Sequence, residues 1–233
     1  SRIVATTAHQ VYLKPKDFRD FDVVVIDEAS MLQLAIVFYV AGLAKKRLVI
    51  TGDFRQLPPI VASDREEVKE WLGKTVFEHA GILKAVNKGL NPVHMVPLRT
   101  QYRMAPEICA LINDTFYRGI LRTGPEAGHT KRSSDLFGKR IAIVDTSFRG
   151  PAVGVKQGTF SRYNLLHATV VRNLVHHLLR EGYAGQNDVM DAIGVITPYA
   201  AQSQLINRAI EELGTIEAPI ASAVHRYQGN EKD

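Results

Sequence analysis

A chain of 233 residues with 45% hydrophobic and 23% charged content can bury a sizeable core and suits one large or two small domains. Its formal charge of +5 permits a polyanionic partner without requiring one. A single cysteine, Cys109, excludes a disulfide framework and any CxxC zinc site and fits a reducing, cytoplasmic setting, while no apolar stretch reads as a membrane span or a secretory leader.

In chain order, Ile3-Val4-Ala5-Thr6-Thr7 predicts a short strand. The β-branched run Val23-Val24-Val25-Ile26 predicts a strand buried on both faces of a parallel sheet. An apolar helix is expected from Met31 to Leu43, a second buried strand at Arg47-Leu48-Val49-Ile50, and a helix over Glu66 to Leu83. Asn91-Pro92 marks a break, and the predicted boundary beside it gives domains 1–93 and 94–233. Beyond it, Met95 to Leu98 predicts a strand, and a helix opens at Pro106, suited to a first turn, with Ile108, Leu111 and Ile112 on one face and Cys109 packed inward. Ile141 to Val144 reads as a strand. Ser161 to Leu179 reads as an amphipathic helix with Val171, Leu174, Val175 and Leu178 at helical spacing. Ile193 to Ile196 predicts a third strand, and Ala200 to Leu213 another helix. Strands alternating with helices imply an α/β fold with parallel sheets.

The chemistry gathers where the strands end. Asp27-Glu28-Ala29-Ser30 directly follows Ile26, and ligands of open α/β sheets sit beyond the carboxyl ends of strands. Two adjacent carboxylates there can divide the labour, one holding Mg²⁺ through its water shell and the other orienting an attacking water. The second strand runs into Thr51-Gly52-Asp53-Phe54-Arg55-Gln56-Leu57-Pro58-Pro59. There Gly52 permits a tight turn and the proline pair stiffens the exit, holding Asp53 and Gln56 beside the first site. Farther on come Gln101-Tyr102-Arg103-Met104, Thr197-Pro198-Tyr199 and Gln228-Gly229-Asn230-Glu231-Lys232-Asp233. In this order and spacing the segments resemble motifs II, III, IV, the TPY segment and motif V of superfamily 1 helicases, in the 5′-to-3′ up-frameshift branch (superfamily 1B). The resemblance runs from Val23 to Asp233.

The resemblance implies two RecA-like P-loop NTPase domains, both incomplete, with ATP and Mg²⁺ as cofactors. It assigns Mg²⁺ anchoring to Asp27, the catalytic base to Glu28, sensing of the γ-phosphate and water to Gln56, and an arginine finger supplied in cis to Arg103. Arginine suits that post because its planar fork grips phosphate oxygens in pairs. By the same resemblance Tyr102 stacks near the nucleotide base, Gly229 approaches the phosphates, and Glu231 accepts from the ribose hydroxyls. Thr6 and Thr7 fall where motif Ic donates to nucleic-acid phosphates, and Thr197 and Tyr199 offer similar contacts that hold a strand without reading it. The implied partner is single-stranded nucleic acid, DNA favoured slightly over RNA.

Two positions depart from the family pattern: Ala223 precedes Val224 where Thr or Ser is usual, and His167 stands where relatives carry Glu. The phosphate-binding loop GxxxxGK[ST] has no match ahead of Asp27, and the lookalike Gly73-Lys74-Thr75 has Val68 where the loop needs glycine. With Ser1 first and no motif VI after Asp233, the expectation is an internal piece of a larger enzyme, inactive when isolated. From Arg118 to Arg180 eleven Lys/Arg face three acids, with Phe137, Phe148, Phe160 and Tyr163 interleaved, a composition that suits single strands or an ordinary solvated surface. The histidines lack ligand spacing and read as surface or packing residues. The competing function is a non-hydrolysing nucleic-acid-binding module built on the same scaffold. The intact set Asp27, Glu28, Gln56 and Arg103 favours the enzyme, since a pure binding module has no use for all four.

Overall fold

The structure, a computed structural model, describes residues 3–125, 127, 140–150, 152–183, 189–214 and 219–227. The chain divides into two compact units between Leu98 and Arg99, so the break at Asn91-Pro92 lies inside the first.

The first unit is built on two parallel strands, β1 (Phe21–Ile26) and β2 (Ala44–Ile50), paired in register from Val23↔Arg47 to Ile26↔Ile50. Helix α1 (Ala8–Leu13) and helix α2 (Leu34–Ala41) supply Val11, Val37 and Val40 to the core, where they meet Val24, Ile26 and Ile50. The alternate residues, Val23 and Val25, are 50% and 62% exposed. The expectation of a strand buried on both faces is therefore corrected: among the described residues, only one face of β1 and β2 carries a core. An unbroken apolar run reports β propensity, but burial needs a second layer that the run itself does not encode.

Ile3 to Thr7 forms no strand. Thr7 instead caps α1, its Oγ1 accepting the Gln10 N–H at 3.3 Å, a geometry that Ser and Thr favour at helix starts. The predicted helix over Glu66 to Leu83 is three short ones: α3 (Glu66–Leu72), α4 (Val76–His79) and α5 (Ile82–Asn87). The first break is chemical. Thr75 Oγ1 accepts the Glu78 N–H at 3.2 Å while Glu78 Oε2 accepts the Thr75 N–H at 2.7 Å, a reciprocal capping box that starts a new helix. This disposes of Gly73-Lys74-Thr75 as a phosphate loop, since Gly73 ends α3 and the Thr75 side chain is spent inside the fold. The capping box also sets Phe77 into the core, 5.7 Å from the Phe54 ring. Thr75→Ala is expected to cost about 1–2 kcal/mol, read as a lowered urea midpoint with unchanged slope; Thr75→Ser should recover most of it.

Among its described residues the second unit holds three two-stranded sheets. Strands β3 (Thr100–Gln101) and β4 (Arg122–Thr123) pair in parallel, as do β7 (Val195–Thr197) and β8 (Ala221–Ala223), while β5 (Val153–Val155) and β6 (Arg162–Asn164) form an antiparallel hairpin. Helix α6 (Pro106–Ile112) opens on proline and buries Cys109 as expected, whereas Ile108 and Leu111 of the expected apolar face are 37% and 56% exposed. The core lies between α7 (Leu165–Arg180), α8 (Val189–Ala192) and α9 (Ala200–Glu211), with Ala168, Val175, Ile206 and Ile210 closing on Ile220 and Ala221. Leu174 falls off that stripe: Val171, Val175 and Leu178 pack inward, whereas Leu174 lines a surface hollow with Val170, Asn173 and His177. Met95 to Leu98 and Ile141 to Val144 are not strands, and Ile143 is 92% exposed. Each run lacks a ladder partner among the described residues, and an unpaired extended segment gains nothing from its propensity.

Carboxamides take over where sheets are short. Asn207 on α9 donates to the Ala221 carbonyl and accepts its N–H, both at 2.9 Å. Gln202, one turn earlier, accepts the Asn164 N–H at 2.6 Å and donates to its carbonyl at 3.2 Å. Such amide side chains imitate a strand edge and satisfy backbone groups that would otherwise lie unpaired. They tie α9 to β8 on one side and to the hairpin on the other. A short helix, α10 (Val224–Tyr227), follows β8, and burial raises the pKa of its Tyr227 hydroxyl. No helix among the described residues is long and apolar enough to cross a membrane.

Candidate functional site

In the first unit the carboxyl ends of β1 and β2 are bolted together. The Thr51 N–H donates to the Ile26 carbonyl at 2.8 Å and the Ala29 N–H to the Thr51 carbonyl at 2.9 Å. The Thr51 hydroxyl donates to Asp27 Oδ1, which also accepts the Glu28 N–H at 3.0 Å. Both bonds fall on Oδ1, so Oδ2 is turned outward on an exposed side chain. A fixed carboxylate with one oxygen presented to solvent is the donor type that a hydrated Mg²⁺ takes.

Glu28 has φ 50° and ψ 38°, the left-handed region. For a residue with a side chain this costs about 1–2 kcal/mol, and such strain persists where surrounding structure over-determines it. Here the restraint is visible: Ala29 and Ser30, on the 3-10 turn Ala29–Met31, are wholly buried beneath it. Gly52 permits the approach, since a Cβ there would lie 3.1 Å from the Ala29 nitrogen and 3.2 Å from the Ser30 nitrogen and the Phe77 ring. Glu28 is thus thrown outward beside Asp27 on a rigid corner. Across the junction, Asp53 Oδ1 accepts the Arg55 N–H and Asp53 Oδ2 accepts from Gln56 Nε2, both at 3.0 Å, which holds the Gln56 carboxamide.

In the second unit Tyr102 and Arg103 ride on a loop shaped by Gln101. Its Oε1 accepts the Arg103 N–H at 2.9 Å and the Met104 N–H at 2.7 Å, while Nε2 donates to the Met104 carbonyl at 2.9 Å. Arg103 is exposed, three residues ahead of α6. The Tyr102 ring lies on Gly124, where an added Cβ would come within 2.3 Å of it. Gln101 and Thr51 are the organising residues that sequence reasoning missed. Both stand inside quoted motifs, and only the fold reveals that their side chains serve the backbone.

The proposed nucleic-acid contacts are less evenly placed. Thr6 and Thr7 are exposed at the head of α1. Thr197, at the end of β7, is 6% exposed, whereas Tyr199, the residue before α9, is 39% exposed. Of that pair the surface offers Tyr199. Gly229 and Glu231 lie outside the described residues. No group of three or more His, Cys, Asp or Glu among the described residues could hold a metal ion.

Two family models, each described as an AAA domain, match the chain, one over residues 1–64 and one over residues 73–233. The chain is similar to the mouse protein "5'-3' DNA helicase ZGRF1", 29% identical over 91% of this chain and 11% of the relative. It is 28% identical to "DNA replication ATP-dependent helicase/nuclease dna2" of Schizosaccharomyces pombe, over 100% of this chain and 17% of that protein. It is 26% identical to "ATP-dependent helicase upf1" of the same yeast, over 91% of this chain and 22% of the relative. The chain therefore spans between 11% and 22% of the length of these relatives.

Proposed function

The chain belongs to the AAA-domain family of superfamily 1 helicases, in its up-frameshift-like branch, and from that premise we propose that it forms the catalytic carboxylate corner and the second-domain loop of a 5′-to-3′, ATP-driven translocase on single-stranded nucleic acid. The observation that carries this reading is the bolted junction of β1 and β2. Three independent bonds, from Thr51 N–H, Ala29 N–H and the Thr51 hydroxyl, hold Asp27 and Glu28 at the carboxyl edge of a parallel sheet, where α/β folds bind nucleotides.

Each residue's part is the one the resemblance implies, and its surroundings support it. Asp27, fixed through Oδ1, offers Oδ2 to the water shell of Mg²⁺. Glu28 orients and deprotonates the attacking water, and its strained backbone sets the direction of approach. Gln56, held by Asp53, positions that water against the γ-phosphate. Bound MgATP supplies the scissile phosphoryl group, whose transfer to water needs positioning and charge neutralisation rather than covalent chemistry. The resemblance gives Arg103 the charge-neutralising role that a guanidinium suits, and gives Tyr102, seated on Gly124, the role of stacking on the base. In this reading the units are two RecA-like domains, and Gly229 and Glu231 keep the phosphate and ribose roles that the resemblance implies.

The contacts offered to nucleic acid are hydroxyls, backbone N–H groups and cationic side chains, all suited to phosphates. Binding of single-stranded oligonucleotides to the 233-residue chain is expected to weaken linearly in log affinity against log salt and to ignore sequence. Anisotropy titrations with oligo-dT, oligo-U and mixed-sequence probes at stepped salt provide the check. An affinity flat across the salt range, or confined to one sequence, would overturn the translocase reading.

A further inference from the structure

We propose that the tip of the β5–β6 hairpin is a stacking platform for one base of a single strand, with Phe160 as the stacking ring and Lys156 and Arg162 as its phosphate contacts. The proposal deepens the nucleic-acid part of the function above and rests on it.

Four aromatic residues are interleaved with the basic stretch, and the structure sorts them. Phe137 lies outside the described residues. Phe148 has the Arg149 guanidinium over its ring at 5.1 Å. Tyr163 lies on Gly154 of the facing strand, where a Cβ would come within 2.4 Å. Phe160 alone among the described three presents both ring faces, at 97% exposure.

A lone exposed aromatic on a surface is ordinary. This one sits on a tightly bonded turn. The Lys156 N–H donates to the Ser161 carbonyl at 2.9 Å, and the Thr159 hydroxyl donates to the Lys156 carbonyl at 2.8 Å. Thr159 Oγ1 in turn accepts the Ser161 N–H at 3.2 Å. The turn is also anchored to α9: Ser161 Oγ accepts the Ala201 N–H at 2.9 Å and Lys156 Nζ donates to Gln204 Oε1 at 2.9 Å. A rigid mount matters because a ring already held in place loses little freedom when a base stacks on it.

The same bond joins the turn to the first turn of α9, which Tyr199 precedes. Ser161 follows Phe160 directly, and the Ala201 nitrogen it binds lies two residues past Tyr199. The hairpin thereby supplies the side-chain cap that Tyr199, as the residue before α9, does not. Charge points to a polyanion: residues 146–180 hold Arg149, Lys156, Arg162, Arg172 and Arg180 with no Asp or Glu. The partner of Lys156 Nζ is the neutral amide of Gln204, not a carboxylate. Exposed aromatic faces within a cationic surface are the combination that binds single strands without reading sequence.

The test is oligonucleotide affinity of the 233-residue chain and its variants, measured against salt. Phe160→Ala is expected to weaken oligo-dT or oligo-U about 5- to 150-fold, with the salt slope unchanged, and Phe160→Trp to restore binding. On an abasic sugar–phosphate probe the same Phe160→Ala change should have no effect, because there is no base to stack. Arg162→Gln should lower the log–log salt slope by about 0.7. Phe160 is solvent-exposed, so the thermal midpoint of Phe160→Ala should match that of the unaltered chain. Unchanged affinity in Phe160→Ala, or an equal loss on the abasic probe, overturns the platform and leaves the nucleic-acid reading standing. No measurable affinity in the unaltered chain at low salt overturns both.

Discussion

Glu28→Gln, placed in a polypeptide that carries this chain together with a phosphate-binding loop, is expected to lower ATP turnover about 10²–10⁴-fold, the usual worth of a general base. Nucleotide affinity should hold, because the amide keeps the shape of the carboxylate and nothing in the local structure hangs on its charge. The bonds that fix the corner belong to neighbours: Asp27 Oδ1 takes the Glu28 backbone N–H, and Thr51 closes on Ala29 and Ile26. The left-handed backbone at residue 28 is tolerated by glutamine as by glutamate. Turnover and nucleotide binding measured side by side therefore separate base from scaffold. Equal losses in both would reassign Glu28 to nucleotide binding, and unchanged turnover would remove it from the chemistry.

The 233-residue chain by itself is expected to show no ATP turnover, even with saturating single-stranded nucleic acid. Its sequence holds no GxxxxGK[ST] segment, and no segment among the described residues offers the ring of backbone N–H groups and the loop lysine that cradle β- and γ-phosphates. Gly73-Lys74-Thr75 is used otherwise, since Thr75 caps α4 and Lys74 pairs with Glu70 one turn back on α3. Holding reactants in place is worth roughly 7–11 kcal/mol of barrier, so losing the cradle removes activity from view rather than slowing it. A coupled phosphate-release assay decides, with Glu28→Gln as the control for contaminating ATPases. Activity that disappears in that control would mean Asp27 and Glu28 recruit nucleotide without a loop.

What the sequence could reveal depended on how local the cause was. Strands β1 and β2, the proline start of α6 and the body of α9 follow from runs and spacings within a dozen residues, and they stand where expected. The acids at the end of β1 were readable because a strand end is a local event. Ile3 to Thr7, Met95 to Leu98 and Ile141 to Val144 carry the same apolar signal without a pairing partner among the described residues. The hairpin was missed although Gln157-Gly158 between two β-prone runs is a turn signal; the helical spacing downstream absorbed Arg162 to Asn164 into α7. The grips of Thr51 on Asp27, Gln202 on Asn164 and Asn207 on Ala221 span 24, 38 and 14 residues. No pattern of neighbours announces which carboxamide or hydroxyl will meet a distant backbone.

The uncovered side of β1 and β2 bears on how the chain behaves as a colloid. Val23, Val25 and Val49 form an exposed apolar strip there, and two such strips from separate molecules can lie face to face at about the 10 Å spacing of stacked sheets. Release of water from valine methyls drives that encounter. The shared formal charge of +5 opposes it, until salt shortens the reach of the repulsion. Purification thus pulls two ways. Strong salt weakens the pull of the basic stretch on polyanions and at the same time lets the bare strips find each other, so a wash against polyanions and a buffer for dispersed protein call for different salt, applied in sequence.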